Sequence, residues 1–331
     1  MRKFTAGLVA VPVLLGLPAP GTAQAAPAAP APAAAASGWT AVDLGVAGTA
    51  TAVNDRGVVV GSGTLPGGTG VHGFRWSAGR LTDLGADVEP QDVNDRGEIV
   101  GTRWVGDAVH GFLRTGGAFV DLGPDFLPTA INDRGDVVGN SGYDQPVRTA
   151  RLRTSTGEFV TLKGLQHASD VNQHRQVLGG DSVWRDGRVS RIVTPAVLHA
   201  LYPEQLTNDQ EHVTGGSLND AGRIVATYQP MPMPVCDPTR LPFAVSKAGV
   251  RDLGIGEGDA TAVDVDAAGR VLVNRVQCQF SVQEVHLWHQ GVAERITDRG
   301  TAEDVNDRQV VVGSTGSPYS SERHAVLWHR S

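Results

Sequence analysis

Seven carboxylates (Asp107, Asp144, Glu204, Asp209, Glu211, Asp237 and Glu284) and two histidines (His199 and His212) stand in irregular stretches of this chain. Two such carboxylates, or one with an imidazole, are the equipment of acid–base hydrolysis. Nothing in their spacing selects a pair. The chain carries no G-x-S-x-G elbow, no H-E-x-x-H helix, no Walker loop and no D-x-D-x-D-G calcium segment. These residues therefore support no catalytic assignment, no metal and no cofactor.

Binding equipment is easier to find. All four tyrosines (Tyr143, Tyr202, Tyr228 and Tyr319) lie in irregular stretches, with Trp104 alongside. A flat ring on a loop offers a large contact area at low entropic cost, for stacking on a sugar or packing against a protein. The two cysteines, Cys236 and Cys278, fall in neighbouring irregular stretches. A disulfide between them would close a loop of about 40 residues and contribute on the order of 3–4 kcal/mol.

What positions these residues is a repeat. Its core, Val/Ile-Asn-Asp-Arg-Gly-x-Val/Ile-Val-Gly, reads VNDRGVVVG from Val53, VNDRGEIVG from Val93 and INDRGDVVG from Ile131. Weaker copies are VNQHRQVLG from Val171, LNDAGRIVA from Leu218 and VDAAGRVLV from Val265, and VNDRQVVVG from Val305 is the last. Between Asn54, Asn94, Asn132, Asn172, Asn219, Asp266 and Asn306 the steps are 40, 38, 40, 47, 47 and 40 residues. Each phrase reads as a hairpin, with Asn or Asp opening a tight turn and Gly where φ turns positive. Arg175 and Gln309 replace that glycine in the fourth and seventh copies. A left-handed backbone would cost them roughly 1–2 kcal/mol, so those two turns are expected to be built differently.

A third strand (His72-Gly-Phe-Arg-Trp76 in the first copy) and a fourth ending Asp-Leu-Gly complete each unit. Four strands per period of about 40 residues make a β-propeller blade, which buries its faces only by stacking on neighbours. The last copy stops after its third strand, His324 to Arg330, while an orphan strand, Trp39 to Gly45, precedes the first. The expected fold is all-β: a seven-bladed propeller of four-stranded blades, closed by the N-terminal strand completing the last blade. In such a ring the second-to-third and fourth-to-next connections emerge at one end. The irregular stretches gather there, including two insertions, Pro195 to Val213 and Gln229 to Pro242.

These phrases resemble the extracellular repeat family named for its His-Ala-Phe motif, in which an Asn-x-x-Gly-x-Val-Val-Gly hairpin precedes His-Ala-Phe-x-Trp and a Leu-Gly strand. HGFRW (72–76), HGFLR (110–114) and HAVLW (324–328) match best, and the fourth to sixth units depart at the histidine. The resemblance spans nearly all of residues 39 to 330. It implies an exported repeat protein and names no catalytic residue.

Residues that recur in most blades build blades. That reading covers Asp55, Asp95, Asp133, Asp220 and Asp307 in the turn, and His72, His110 and His324. It also covers Trp76, Trp184, Trp288 and Trp328, expected to pack between blades. Ahead of the repeats, Arg2 and Lys3, an apolar run and Ala23-Gln24-Ala25 read as a secretory signal peptide over 1–25, and 26–37 as an Ala/Pro-rich disordered spacer. Export places both cysteines in an oxidising compartment. No other run is apolar enough to span a bilayer, and the net charge of −7 carries no basic stripe for nucleic acid. The sequence thus reads as a secreted, monomeric binding module from 38 to 331, with a glycan or an extracellular protein on its loop face. Two other readings stand beside it: an extracellular polysaccharide hydrolase or lyase with carboxylates around the central channel, and a ligand-free cell-surface scaffold.

Overall fold

A computed structural model describes residues 38–141, 149–203, 212–230, 240–255, 259–276, 283–316 and 323–331. The segments read as signal peptide and spacer, Tyr143, Tyr319, both cysteines, Asp144, Glu204, Asp209, Glu211 and Asp237 lie outside them.

Each repeat folds as a four-stranded antiparallel sheet, and seven such sheets stand in a ring. The first blade runs Ala47–Val53, Val59–Thr64, His72–Ser77 and Arg80–Ala86, and the second Val88–Val93, Ile99–Val105, Ala108–Thr115 and Ala118–Gly123. The fourth blade has the shortest strands: Asp170–Val171, Val177–Gly179, Ser182–Arg185 and Arg188–Arg191. The seventh takes three strands from Gly300–Val305, Val311–Thr315 and His324–Arg330, and its fourth from Trp39–Asp43. Val42 lies opposite Leu327 in that pairing. The seam is held further by Trp39, whose Nε1 donates to Glu294 Oε1 at 3.0 Å, while the Arg330 guanidinium lies 5.2 Å from the Trp39 ring centre and pairs with Glu294.

The core is divided into seven apolar clusters, each straddling two adjacent blades. Leu44, Val46, Phe74, Val312 and Leu327 join the seventh blade to the first, which closes the ring by packing as well as by hydrogen bonds. Trp288 and Trp328 are fully enclosed in these seams, as inter-blade packing requires.

The last glycine of the phrase has a steric cause. A bulge interrupts the inner strand between Ala50 and Ala52, and its counterparts recur at Pro90/Asp92, Pro128/Ala130 and Ala302/Asp304. There the inner strand presses on its neighbour, and a Cβ on Gly61, Gly101, Gly139 or Gly313 would collide with the facing carbonyl oxygen. The turn itself is uniform. Gly57 sits at φ 74°, and Arg175 and Gln309 sit in the same left-handed region at 57° and 61°. The expectation of differently built turns there is corrected. Arg175 is held by two hydrogen bonds to buried Asp136 (Nε to Oδ2 2.7 Å, Nη2 to Oδ1 2.9 Å), and the Gln309 amide oxygen accepts from Arg330. Among the described residues the fold's one α-helix is Pro195–Leu201, with Pro195 suited to its first turn and Leu198 buried between blades four and five. No helix among the described residues is long and apolar enough to cross a membrane.

Candidate functional site

Two places in the ring gather side chains from several blades: the axis, at the end formed by the repeated turns, and the opposite end, where the irregular loops emerge. At the turn end the seven repeated turns surround a bowl of about 240 Å³. Asn54 shows how each turn is made. Its Oδ1 accepts from the N–H groups of Arg56 and Val58, and its Nδ2 reaches the next blade, donating to the Asn94 carbonyl at 2.7 Å. The same inter-blade bond runs from Asn94 to Asn132, on to Asn172, Asn219 and Asp266, and from Asn306 back to Asn54. Asp266 cannot donate. Arg270, paired with that carboxylate, reaches over instead and donates to the Asp307 carbonyl at 2.8 Å. The adjoining aspartates form a second ring: Asp95 accepts from the Asp55 N–H, Asp133 from Asp95 and Asp55 from Asp307.

Below the turns lie four carboxylates that sequence reasoning missed, Asp92, Asp170, Asp264 and Asp304, two residues ahead of the turn Asn or Asp. Asp92 accepts from its own successor Val93 and from Ile131 of the next blade, both at 2.7 Å. Asp170 serves Val171 and Leu218, and Asp264 serves Val265 and Val305. Asp304 takes the seventh amide, Val53, at 2.7 Å. Three aspartates satisfy six amides, and because the ring is odd-numbered a fourth is needed for one more. Asp304 is thereby brought against Asp264, to which it is hydrogen-bonded. Two carboxylates in contact cannot both ionise cheaply. Burial first, then the neighbouring Asp264 charge, raises Asp304 well above the ordinary carboxylate range. Burial also pushes Asp92 to about 7 and Asp170 to about 6, with other axial carboxylates adding to both. All four are walled in by the ring yet retain some solvent contact along the axis, which moderates the effect.

At the other end, histidines and acids clip strands together. His72 Nδ1 lies 3.0 Å from Asp83, His110 3.0 Å from Asp121 and His324 3.1 Å from Asp43, each across the third and fourth strands of its blade. In the fifth blade Tyr202 replaces the histidine, its hydroxyl 3.3 Å from Asp252. The sixth blade reverses the charges. Glu284 stands at the histidine position and Arg295 at the aspartate position, 3.5 Å apart, with Arg275 and His286 each 3.0 Å from Glu284. Burial pushes that carboxyl up, but His286 and the arginines outweigh it and hold it below its usual value.

Glu284, read from sequence as a loop-face carboxylate, is therefore a buried strand residue with its oxygens engaged. Tyr202 and Tyr228, read as loop aromatics, are buried as well, 7% and 1% exposed, and stacked on each other at 5.6 Å. Tyr228 belongs to the strand Ile224–Gln229 and Tyr202 caps the helix, so both are core of the fifth-blade insertion. Trp104 is different. It ends the strand Ile99–Val105 at the loop end, 58% exposed. Backbone hydrogen bonds run from the Trp104 N–H to Asp87 and from the Asp87 N–H to Val71, which is 49% exposed, and Val105, next in the strand, is exposed on the opposite face. Asp107 sits in the adjoining turn. His199 lies on the helix and His212 opens the inner strand of blade five; the structure brings neither to the channel carboxylates. Among the described residues no group of three His, Cys, Asp or Glu is arranged to hold a metal.

The fold and these two ends define a seven-bladed propeller. No family model and no curated protein matches the chain. Among solved structures it is similar to a prolyl endopeptidase (11% identity, TM-score 0.53, 87% of this chain and 51% of that chain covered). It is similar also to the acylaminoacyl peptidase of Pyrococcus horikoshii (10% identity, TM-score 0.54, 84% and 51% covered). The chain spans about half the length of each. At such identities the likeness concerns the fold alone.

Proposed function

We propose that this chain is a secreted propeller that acts as a binding module, as its likeness to the His-Ala-Phe repeats implies, with a glycan as ligand on the loop end. The observation that carries this reading is the patch around Trp104. A large ring stands in solvent at the loop end, 58% exposed, with Asp107 in the next turn as a hydrogen-bond acceptor. A single exposed flat ring beside a carboxylate suits the apolar face of a sugar. The recurrent histidines and their aspartates are meanwhile engaged in holding strands, which leaves them little room for catalysis. A glycan array probed with the full chain tests the idea. Binding that falls at least tenfold in Trp104→Ala and survives in Trp104→Phe is the expected result. Undiminished binding by Trp104→Ala removes the patch from the account, and Trp104-dependent capture of an extracellular protein without any glycan signal transfers the site to a protein ligand.

One observation speaks for the hydrolase reading. Asp264 and Asp304 stand against each other as a pair of carboxylates at the axis, and two carboxylates at one site are the equipment of acid–base hydrolysis. Against it, seven of the eight oxygens of the four axial aspartates already accept backbone amides. Polysaccharide cleavage by the full chain that disappears in Asp304→Asn would decide for it.

A further inference from the structure

We propose that the pocket between the fourth and fifth blades binds a small organic oxyanion, a carboxylate or a sulfate ester on a scaffold with one apolar face, seated between Arg185 and Arg188. The pocket measures about 420 Å³, within the range of small-ligand sites. Val183, Ile192, Leu218 and Ile224 form its floor.

The argument begins with a local conflict. Arg185 and Arg188 are direct cross-strand partners, so their side chains leave the same face of the sheet. Like charges placed directly opposite destabilise a strand pair. Elsewhere this protein neutralises a guanidinium at this level of the blade: Glu98 accepts from Arg96 in the second, and Asp136 accepts from Arg175 of the neighbouring blade. The corresponding residue of the fourth blade is Gln176, which is neutral. Its amide lies between two donors, the Asn172 amide and the Arg185 guanidinium, and one oxygen cannot serve both fully. Arg188 has no carboxylate partner among the described residues. Nearby, Asp181 is taken by Arg191 at 3.5 Å, and Asp186 lies at the tip of the hairpin in a left-handed turn.

Two exposed guanidinium groups leaving the same face, with Ser190 lining the same pocket and an apolar floor beneath, match an oxyanion bonded to the Arg188 fork and to the N–H groups of Arg185 that Gln176 leaves free. The charge is local to a chain of net charge −7. The hairpin tip Asp186-Gly187 lies at the turn end of the ring, so this site is separate from the Trp104 patch and the two proposals fail independently.

Calorimetric titration of the full chain with glucuronate, glucose 6-sulfate and glucose tests the site. Saturable binding of either acid, with none for glucose, is expected; the stronger of the two acids identifies the carboxylate or the sulfate as the preferred group. Arg185→Ala and Arg188→Ala should each weaken binding at least tenfold, and Arg80→Ala on the first blade should leave it unchanged. Because the pair repels itself, Arg188→Ala should leave Tm unchanged or raise it. Equal binding of glucose, no saturable binding of either acid, equal loss in Arg80→Ala, or a fall in Tm for Arg188→Ala would each overturn the proposal. Tighter binding of a hexaglutamate peptide, lost in the same variants, would overturn it in favour of a protein surface.

Discussion

Asp266 stands where six other turns carry asparagine, and its neighbour Arg270 supplies the donor that a carboxylate lacks. The exchange has a measurable signature. Removing Arg270 alone leaves a buried carboxylate without its partner, which should destabilise by about 2–4 kcal/mol. In an Asp266→Asn background the amide restores the inter-blade bond, and Arg270→Ala should then cost under about 1 kcal/mol. A double-mutant cycle by urea unfolding reads the difference, and additive losses would refute the compensation. Such substitutions are legible only once the fold supplies the partner. The sixth unit departs from the pattern at the histidine because Glu284 and Arg295 exchange the charges of the histidine and aspartate. The four axial aspartates left a signal that was available: an acid two residues ahead of the turn in four of seven copies. Its meaning needed the ring, since each carboxylate answers an amide of the next blade, and for Asp304 that blade is the first.

Blades and their strands were readable because every local choice agrees: turn residues, strand alternation and a fixed period all point to one sheet. Insertions have no such internal control. The extra residues of the fifth blade resembled an exposed loop, yet Pro195–Leu201 forms a helix and Thr227-Tyr228-Gln229 prolongs a strand beyond the repeated phrase. The two stacked tyrosines supply core that the short fourth blade cannot. Tyr228→Ala should therefore lower stability by about 3–5 kcal/mol, as loss of a fully enclosed large side chain does. Denaturant unfolding measures that loss, and a change below about 1 kcal/mol would return Tyr228 to the surface reading. Binding at Trp104 should be unaffected in the folded fraction of this variant.

Across the whole ring, charge sets the pH at which it holds best. Asp92, Asp170 and Asp304 have folded-state values raised by burial and by one another, so the folded protein binds more protons than the unfolded chain between about pH 4 and 7. Stability must fall as pH rises through that window. Below it the opposite group acts: Asp136, Glu98 and Glu284, held low mainly by arginine, asparagine and histidine partners against their burial, lose their contribution as they protonate. Tm should peak near pH 4 and decline toward pH 7, with a loss of stability on the order of 2 kcal/mol after allowance for solvent contact. Asp304→Asn, whose amide can donate to Asp264 at any pH, should flatten that decline, and an unaltered slope would rule out the axial pair as its source. One further property follows from the sheet shared by Trp39–Asp43 and His324–Arg330. Its two halves are separated by nearly the whole of the repeat sequence, so the ring stays an open arc until both segments are in place. Removal of either segment leaves bare strand edges on that blade, so a closed ring reports that both are paired.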